Sequence, residues 1–103
     1  MDLAEAHVRA LDWCMNQSEN KPVDRAFNLG TGQGASVLDI VRTFESATGV
    51  HVPMRMGPRR AGDVVAIWAN PERAERELQW KAKRSLALAL ADAWRWQQRL
   101  TKA

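Results

Sequence analysis

The sequence predicts an α/β (α+β) fold with a βαβ core, three short strands and four helices. Three observations carry this. Apolar residues recur at three- and four-residue steps in some segments and crowd into short β-rich runs in others. A Gly-rich turn, Gly30 to Gly34, stands where the first such run meets a capped helix. The resulting order is α, β, α, β, loop, β, α, α, in which strand, crossover helix and strand form a right-handed unit with helices laid on the sheet. With 103 residues, the chain has room for one domain.

From Asp2 to about Asn16, Leu3, Ala6, Ala10, Leu11 and Cys14 form one apolar face, and Asp2 and Glu5 sit at the positive end of the helix dipole. The polar stretch Asn16 to Asp24, with Pro22, reads as a loop into the first strand, Ala26 to Leu29. Ser36 and Asp39 make a capping box for a second helix, with Val37, Ile40, Val41, Phe44 and Ala47 along one stripe and Gly49 as its left-handed stop. Val50 to Met56 alternates like a strand, with Pro53 restricting it to an edge, and Val64 to Trp68 is the third strand-like run. Asn70 as N-cap and Pro71 at the first helical position open a short helix to Leu78. Ser85 caps the last helix, whose Leu86, Ala89, Leu90, Ala93, Trp96 and Leu100 form a broad apolar face.

Composition narrows the function classes. The net charge is +3, but the 15 basic residues are scattered among 12 acids, which argues against a dedicated nucleic-acid surface. The single Cys14 lies between Trp13 and Met15 and reads as a buried thiol in a reducing compartment, so the cytoplasm is expected. The first residues lack a signal-peptide pattern, and the longest apolar run, Leu86 to Ala91, falls far short of the ~18 residues of a membrane span, so no membrane partner is expected.

The run Gly57, Pro58, Arg59, Arg60, Ala61, Gly62, Asp63 carries the most chemistry. Two adjacent guanidinium forks in a Pro- and Gly-bounded loop suit a diphosphate, since Arg matches phosphate oxygens and the constrained backbone limits the ordering cost of binding. Paired Arg on a surface loop also reads as solvated charge. Gly30, Thr31, Gly32, Gln33, Gly34, Ala35 fits the dinucleotide pattern G-x-G-x-x-G/A, yet the acid expected about 20 residues beyond is missing, so tight packing explains it better. No cofactor site is assigned to it. His7 and His51 have no partners at metal-ligand spacing, and Ser36 and Ser85 are explained by capping. Of the five Trp, four read as core, while Trp68, just after the Arg loop, is kept as a candidate stacking surface.

Four stretches taken together resemble one family: Asn28 to Gly34 with Ser36, Val37 and Leu38; Pro58 to Asp63; Ala69, Asn70, Pro71 with Ala74 to Leu78 and Trp80; and Asp92 to Gln97. In order and spacing, Phe27 to Gln97 is similar to the carboxy-terminal part of the UDP-glucose 4-epimerases (UDP-galactose 4-epimerases), extended short-chain dehydrogenases/reductases that interconvert UDP-glucose and UDP-galactose in galactose metabolism. The opening Asp2 to Leu11 also resembles the family's helix just upstream. The resemblance implies that residues 1–103 are a carboxy-terminal substrate-binding portion without the amino-terminal Rossmann domain, a fragment or truncated product starting at an internal Met. It implies further that Arg60 contacts the UDP diphosphate, that Asp63 faces the ribose and that Arg59 adds supporting charge. Ile67 falls where the family's side-chain bulk helps decide whether an N-acetylated hexose fits, and its middling size leaves that preference open.

The family reaction oxidises the sugar at C4 with bound NAD and returns the hydride to the other face, using a Tyr-x-x-x-Lys pair. This chain has no Tyr. The resemblance therefore implies no catalytic residue and no NAD site in this chain, an isolated chain that is inactive, a partner in the missing NAD domain, and self-association through the interface that domain would cover. Two other readings stand beside this one: a part of another NAD-dependent nucleotide-sugar enzyme of the superfamily, or a stand-alone binding module for phosphorylated ligands.

Overall fold

Among the described residues, four helices, α1 (Asp2–Met15), α2 (Val37–Thr48), α3 (Glu72–Glu77) and α4 (Leu86–Lys102), organise a computed structural model of the chain. The structure describes residues 1–17 and 22–102, and residues 18–21 of the expected loop after α1 lie outside the described residues. The chain divides into two units, Met1–Gly34 with Ala66–Lys83, and Ala35–Val65 with Arg84–Ala103.

In the first unit the core consists of Ala6, Ala74, Leu78 and Trp80, with Ala10, Trp13, Phe27, Leu29 and Ala82 packed partly buried against it. Ala6 and Ala74 supply small surfaces on α1 and α3, while the Trp80 indole fills space and satisfies its own N–H. Its Nε1 donates to the Asp2 carbonyl at 2.9 Å, and the Lys83 amide donates to the Asp2 carboxylate at 3.0 Å, so the start of α1 holds the 80–83 segment. Trp13 and Phe27 meet edge to face, with centroids 5.3 Å apart. Just after α3, Gln79 takes a left-handed φ of 53°, turning the chain so that the Trp80 amide donates back to the Ala74 carbonyl. Arg25 Nη2 spans both Glu77 carboxylate oxygens at 2.8 and 3.0 Å. That hydrogen bond, ahead of the Arg25 charge itself, holds the Glu77 pKa below its ordinary value.

In the second unit α2 and α4 pack on each other, with Phe44 and Trp94 edge to face at 5.5 Å. The expected capping box forms: Ser36 Oγ accepts from the Asp39 amide at 3.0 Å, and Asp39 accepts from the Ser36 amide at 3.1 Å. The bond from the Ser36 backbone is the main reason that the Asp39 pKa is lowered. Gly49 ends α2 at φ 71°, and Ser85 Oγ accepts from the Leu88 amide at the start of α4. Neither helix buries a residue fully.

The expected βαβ core is not formed. Ala26–Leu29, Val50–Met56 and Val64–Trp68 carry no strand, and there is none among the described residues. A β-branched run becomes a strand only when a second extended segment takes up its backbone groups. Here side chains take several of them instead. Arg73 Nη1 donates to the Ala26 carbonyl, Thr48 Oγ1 accepts from the Val50 amide and Glu45 Oε2 accepts from the Val52 amide. The helix after Pro71 begins one residue late, at Glu72, although Asn70 Oδ1 still accepts the Glu72 amide. Cys14 is exposed rather than buried, because the core-facing stripe of α1 runs through Ala6, Ala10 and Trp13. No helix among the described residues is long and apolar enough to cross a membrane.

Candidate functional site

The Arg loop is organised by one turn. The Asp63 amide donates to the Arg60 carbonyl at 3.4 Å, and Gly62, third of the four turn residues, has φ 89°, the conformation that a type II turn demands there. Such a turn brings its first and last residues side by side. Accordingly Arg60 Nε and Nη2 reach the two Asp63 carboxylate oxygens, each at 3.3 Å, in a side-on pair. Arg59 Nη2 donates to the Asp63 carbonyl at 3.2 Å, so both guanidinium groups converge on the same residue.

Two features of this pair matter for ligand binding. Arg60 keeps 84% of its side-chain exposure and Asp63 45%, so the ion pair is solvated and contributes little stability. Its bonds are also long for charge-assisted contacts, and a guanidinium has five N–H donors. With two of them on Asp63, three remain for phosphate oxygens, while the carboxylate has lone pairs to spare for a hydroxyl. The turn thus presents a positive fork already oriented by a neighbouring acid.

The structure brings Arg59, Arg60 and Asp63 together in one loop of the second unit. Ile67 belongs to the first unit and is 81% exposed. The Gly-rich turn is occupied by its own chain. A Cβ placed on Gly30 would meet the Ala69 Cβ at 3.0 Å, on Gly32 the Pro71 ring at 3.7 Å and on Gly34 the Trp68 indole at 3.0 Å. Gly30 and Gly34 thus let Ala69 and Trp68 approach more closely than a Cβ would allow. Sequence reading proposed packing without finding the partner; the only available signal was the alternate spacing of the three glycines. A separate apolar recess of about 160 Å³ in the first unit is lined by Ala6, His7, Ala10, Phe27, Leu29 and Leu78 and includes none of the expected site residues.

No family model matches the chain. Over 97 residues the chain is 48% identical to the UDP-glucose 4-epimerase of Bacillus subtilis (strain 168), covering 94% of this chain and 27% of that protein. It is also 48% identical over 96 residues to the bifunctional UDP-glucose 4-epimerase and UDP-xylose 4-epimerase 3 of Arabidopsis thaliana, covering 93% of this chain and 27% of that protein. The crystal structure of UDP-glucose-4-epimerase from Stenotrophomonas maltophila with bound NAD and formylated UDP-arabinopyranose superposes with a TM-score of 0.84 at 42% identity, over 98% of this chain and 29% of that one. The chain therefore spans little more than a quarter of the length of these relatives, and the match falls on their carboxy-terminal portion.

Proposed function

We propose, for a chain that belongs to the UDP-glucose 4-epimerase family through the carboxy-terminal part it matches, that the Arg60–Asp63 turn binds the nucleotide end of a UDP-sugar. The observation that carries this is the side-on Arg60–Asp63 pair, held by a Gly62 turn and left largely in solvent. Arg60 grips the diphosphate with its remaining donors, Asp63 accepts from the ribose, and Arg59 adds charge behind them. The solved relative's bound UDP-arabinopyranose derivative supports a nucleotide-sugar ligand rather than a generic anion.

Epimerisation through C4 oxidation is the reaction of the whole enzyme. This chain has no Tyr, so it contributes substrate contacts and no catalytic phenol. The close approach of Trp68 and Ala69 to the Gly30–Gly34 turn supports a packing role for it, and NAD binding falls to the family's other domain. Large apolar side chains left exposed, Val65 at 92% and Met56 at 77% among them, support self-association or docking of that domain. Sedimentation velocity across a range of concentrations tests it: one monomeric species throughout would refute self-association.

Calorimetric titration with UDP-galactose, UDP and pyrophosphate tests the binding reading. UDP and UDP-galactose are expected to bind more tightly than pyrophosphate, with Arg60→Ala weakening UDP by about 10- to 100-fold, the loss of a charged hydrogen bond of about 1.5–3 kcal/mol. Equal affinity for pyrophosphate would favour a generic phosphate module, and an unaffected variant would refute the assignment of Arg60.

A further inference from the structure

Helix α4 is apolar over more of its surface than α2 covers. Trp94 marks the covered side, since its ring meets Phe44 of α2. Farther round the helix, Leu86, Ala89, Ala93, Trp96 and Leu100 follow at steps of three, four, three and four, the spacing that lines up one seam. All five are exposed, Trp96 at 60% and Leu100 at 53%. A helix face turned to water ordinarily carries polar residues, so an unbroken apolar seam over about four turns is the mark of a surface that packs.

The seam is complementary to itself when a second copy runs antiparallel. A two-fold axis midway between Ala93 and Trp96 sets Ala93 against Trp96 of the second copy and Ala89 against Leu100 of the second copy. Each large side chain then lands on a small one. The same axis sets Asp92 beside Arg99 of the second copy, twice, along one edge of the seam. Arg95 already bonds the Asp92 Oδ1 at 3.0 Å, and a carboxylate accepts further donors, so the pair across the axis adds to that bond rather than replacing it. A parallel pair has neither feature: it stacks Trp96 on Trp96 and sets Asp92 beside Gln97. We infer, resting on the proposed self-association and independently of the nucleotide, that α4 is the docking surface for a second copy of this chain, paired antiparallel through Ala89, Ala93, Trp96 and Leu100. The seam belongs with the small interfaces, under about 1,200 Å², that give weak and reversible pairs.

Sedimentation velocity of the whole chain across concentrations reads the pairing. Ala93→Glu, which sets a charge against Trp96 of the second copy, and Trp96→Gln are each expected to weaken it by about 10-fold or more. Arg99→Glu places acid beside acid on both sides of the axis and should weaken it by about threefold, while Asp92→Lys combined with Arg99→Glu reverses both charges and should restore it. Damage to the helix would not produce that recovery. Orientation is read in a Cys14→Ser background by oxidising a mixture of Ala89→Cys and Leu100→Cys chains. An antiparallel pair joins unlike chains by a disulfide, because like positions then lie eleven residues apart along the helix, about 16 Å, beyond disulfide reach.

Disulfides joining like chains overturn the antiparallel pairing, and a double reversal as weak as Arg99→Glu alone overturns the Asp92–Arg99 contact. Undiminished association in Ala93→Glu and Trp96→Gln overturns the α4 surface while self-association itself stands. One monomeric species at every concentration refutes the proposed self-association and this inference with it, and leaves the seam for the family's other domain to cover.

Discussion

Replacing Gly62 with Ala isolates the turn that organises the candidate site. Gly62 has φ 89°, and nothing lies within 4 Å of a Cβ built on it, so the substitution adds no steric clash and acts only through the backbone. Holding an L residue in the left-handed region costs about 1–2 kcal/mol. The loop can avoid that cost by relaxing out of the turn, which separates Arg60 from Asp63. If the closed turn is the form that binds, affinity falls with its population, by up to about 5- to 30-fold. Calorimetric titration with UDP reads this directly. Because the Arg60–Asp63 pair is solvated, the melting temperature should hardly change.

Gly49 is the matched control: its φ is 71°, its Cβ position is equally open, and it ends α2 rather than the Arg loop. Gly49→Ala should lower the melting temperature while leaving UDP affinity intact, the reverse of Gly62→Ala. Wild-type UDP affinity in Gly62→Ala would refute the argument that the turn preorganises the guanidinium.

Ser36→Ala removes one half of the capping box and should destabilise the fold by about 1 kcal/mol in denaturant unfolding, with Ser36→Asn largely restoring it. Trp80→Ala, at a residue only 4% exposed, leaves a cavity and an Asp2 carbonyl without its indole donor, and should cost about 3–5 kcal/mol by the same measurement. The Glu77 pKa is lowered in the fold chiefly by the Arg25 hydrogen bond, so its contribution is present above the ordinary carboxylate range and is lost as pH falls through the lowered value. Unfolding midpoints measured from pH 7 down to pH 3 should therefore converge for wild type and Glu77→Gln at the acid end; a constant gap would count against the linkage.

Local chemistry was legible in the sequence wherever its partners are near in the chain. The capping box of Ser36 and Asp39, the left-handed stop at Gly49 and the Ser85 cap involve residues at most three apart or a single backbone angle, and each forms as expected. The Arg60–Asp63 pair is of the same kind, since Gly62 closes a four-residue turn whose ends must meet. What the sequence determined by itself is thus the approximate positions of the helices and the local caps of α2 and α4.

Only the tertiary structure decided the rest. Val50–Met56 and Val64–Trp68 have the residue pattern of strands but no ladder partner among the described residues, and β-propensity without a partner fixes no sheet. The same holds for the Gly-rich turn. Its spacing fits a pyrophosphate seat, and only the folded chain reveals that Trp68, Ala69 and Pro71, more than 30 residues away, lie against it. Interactions closed within one turn of chain are written in local sequence, whereas those that need two distant backbones to meet depend on the whole packing, because the entropy of bringing them together is offset only by contacts made elsewhere.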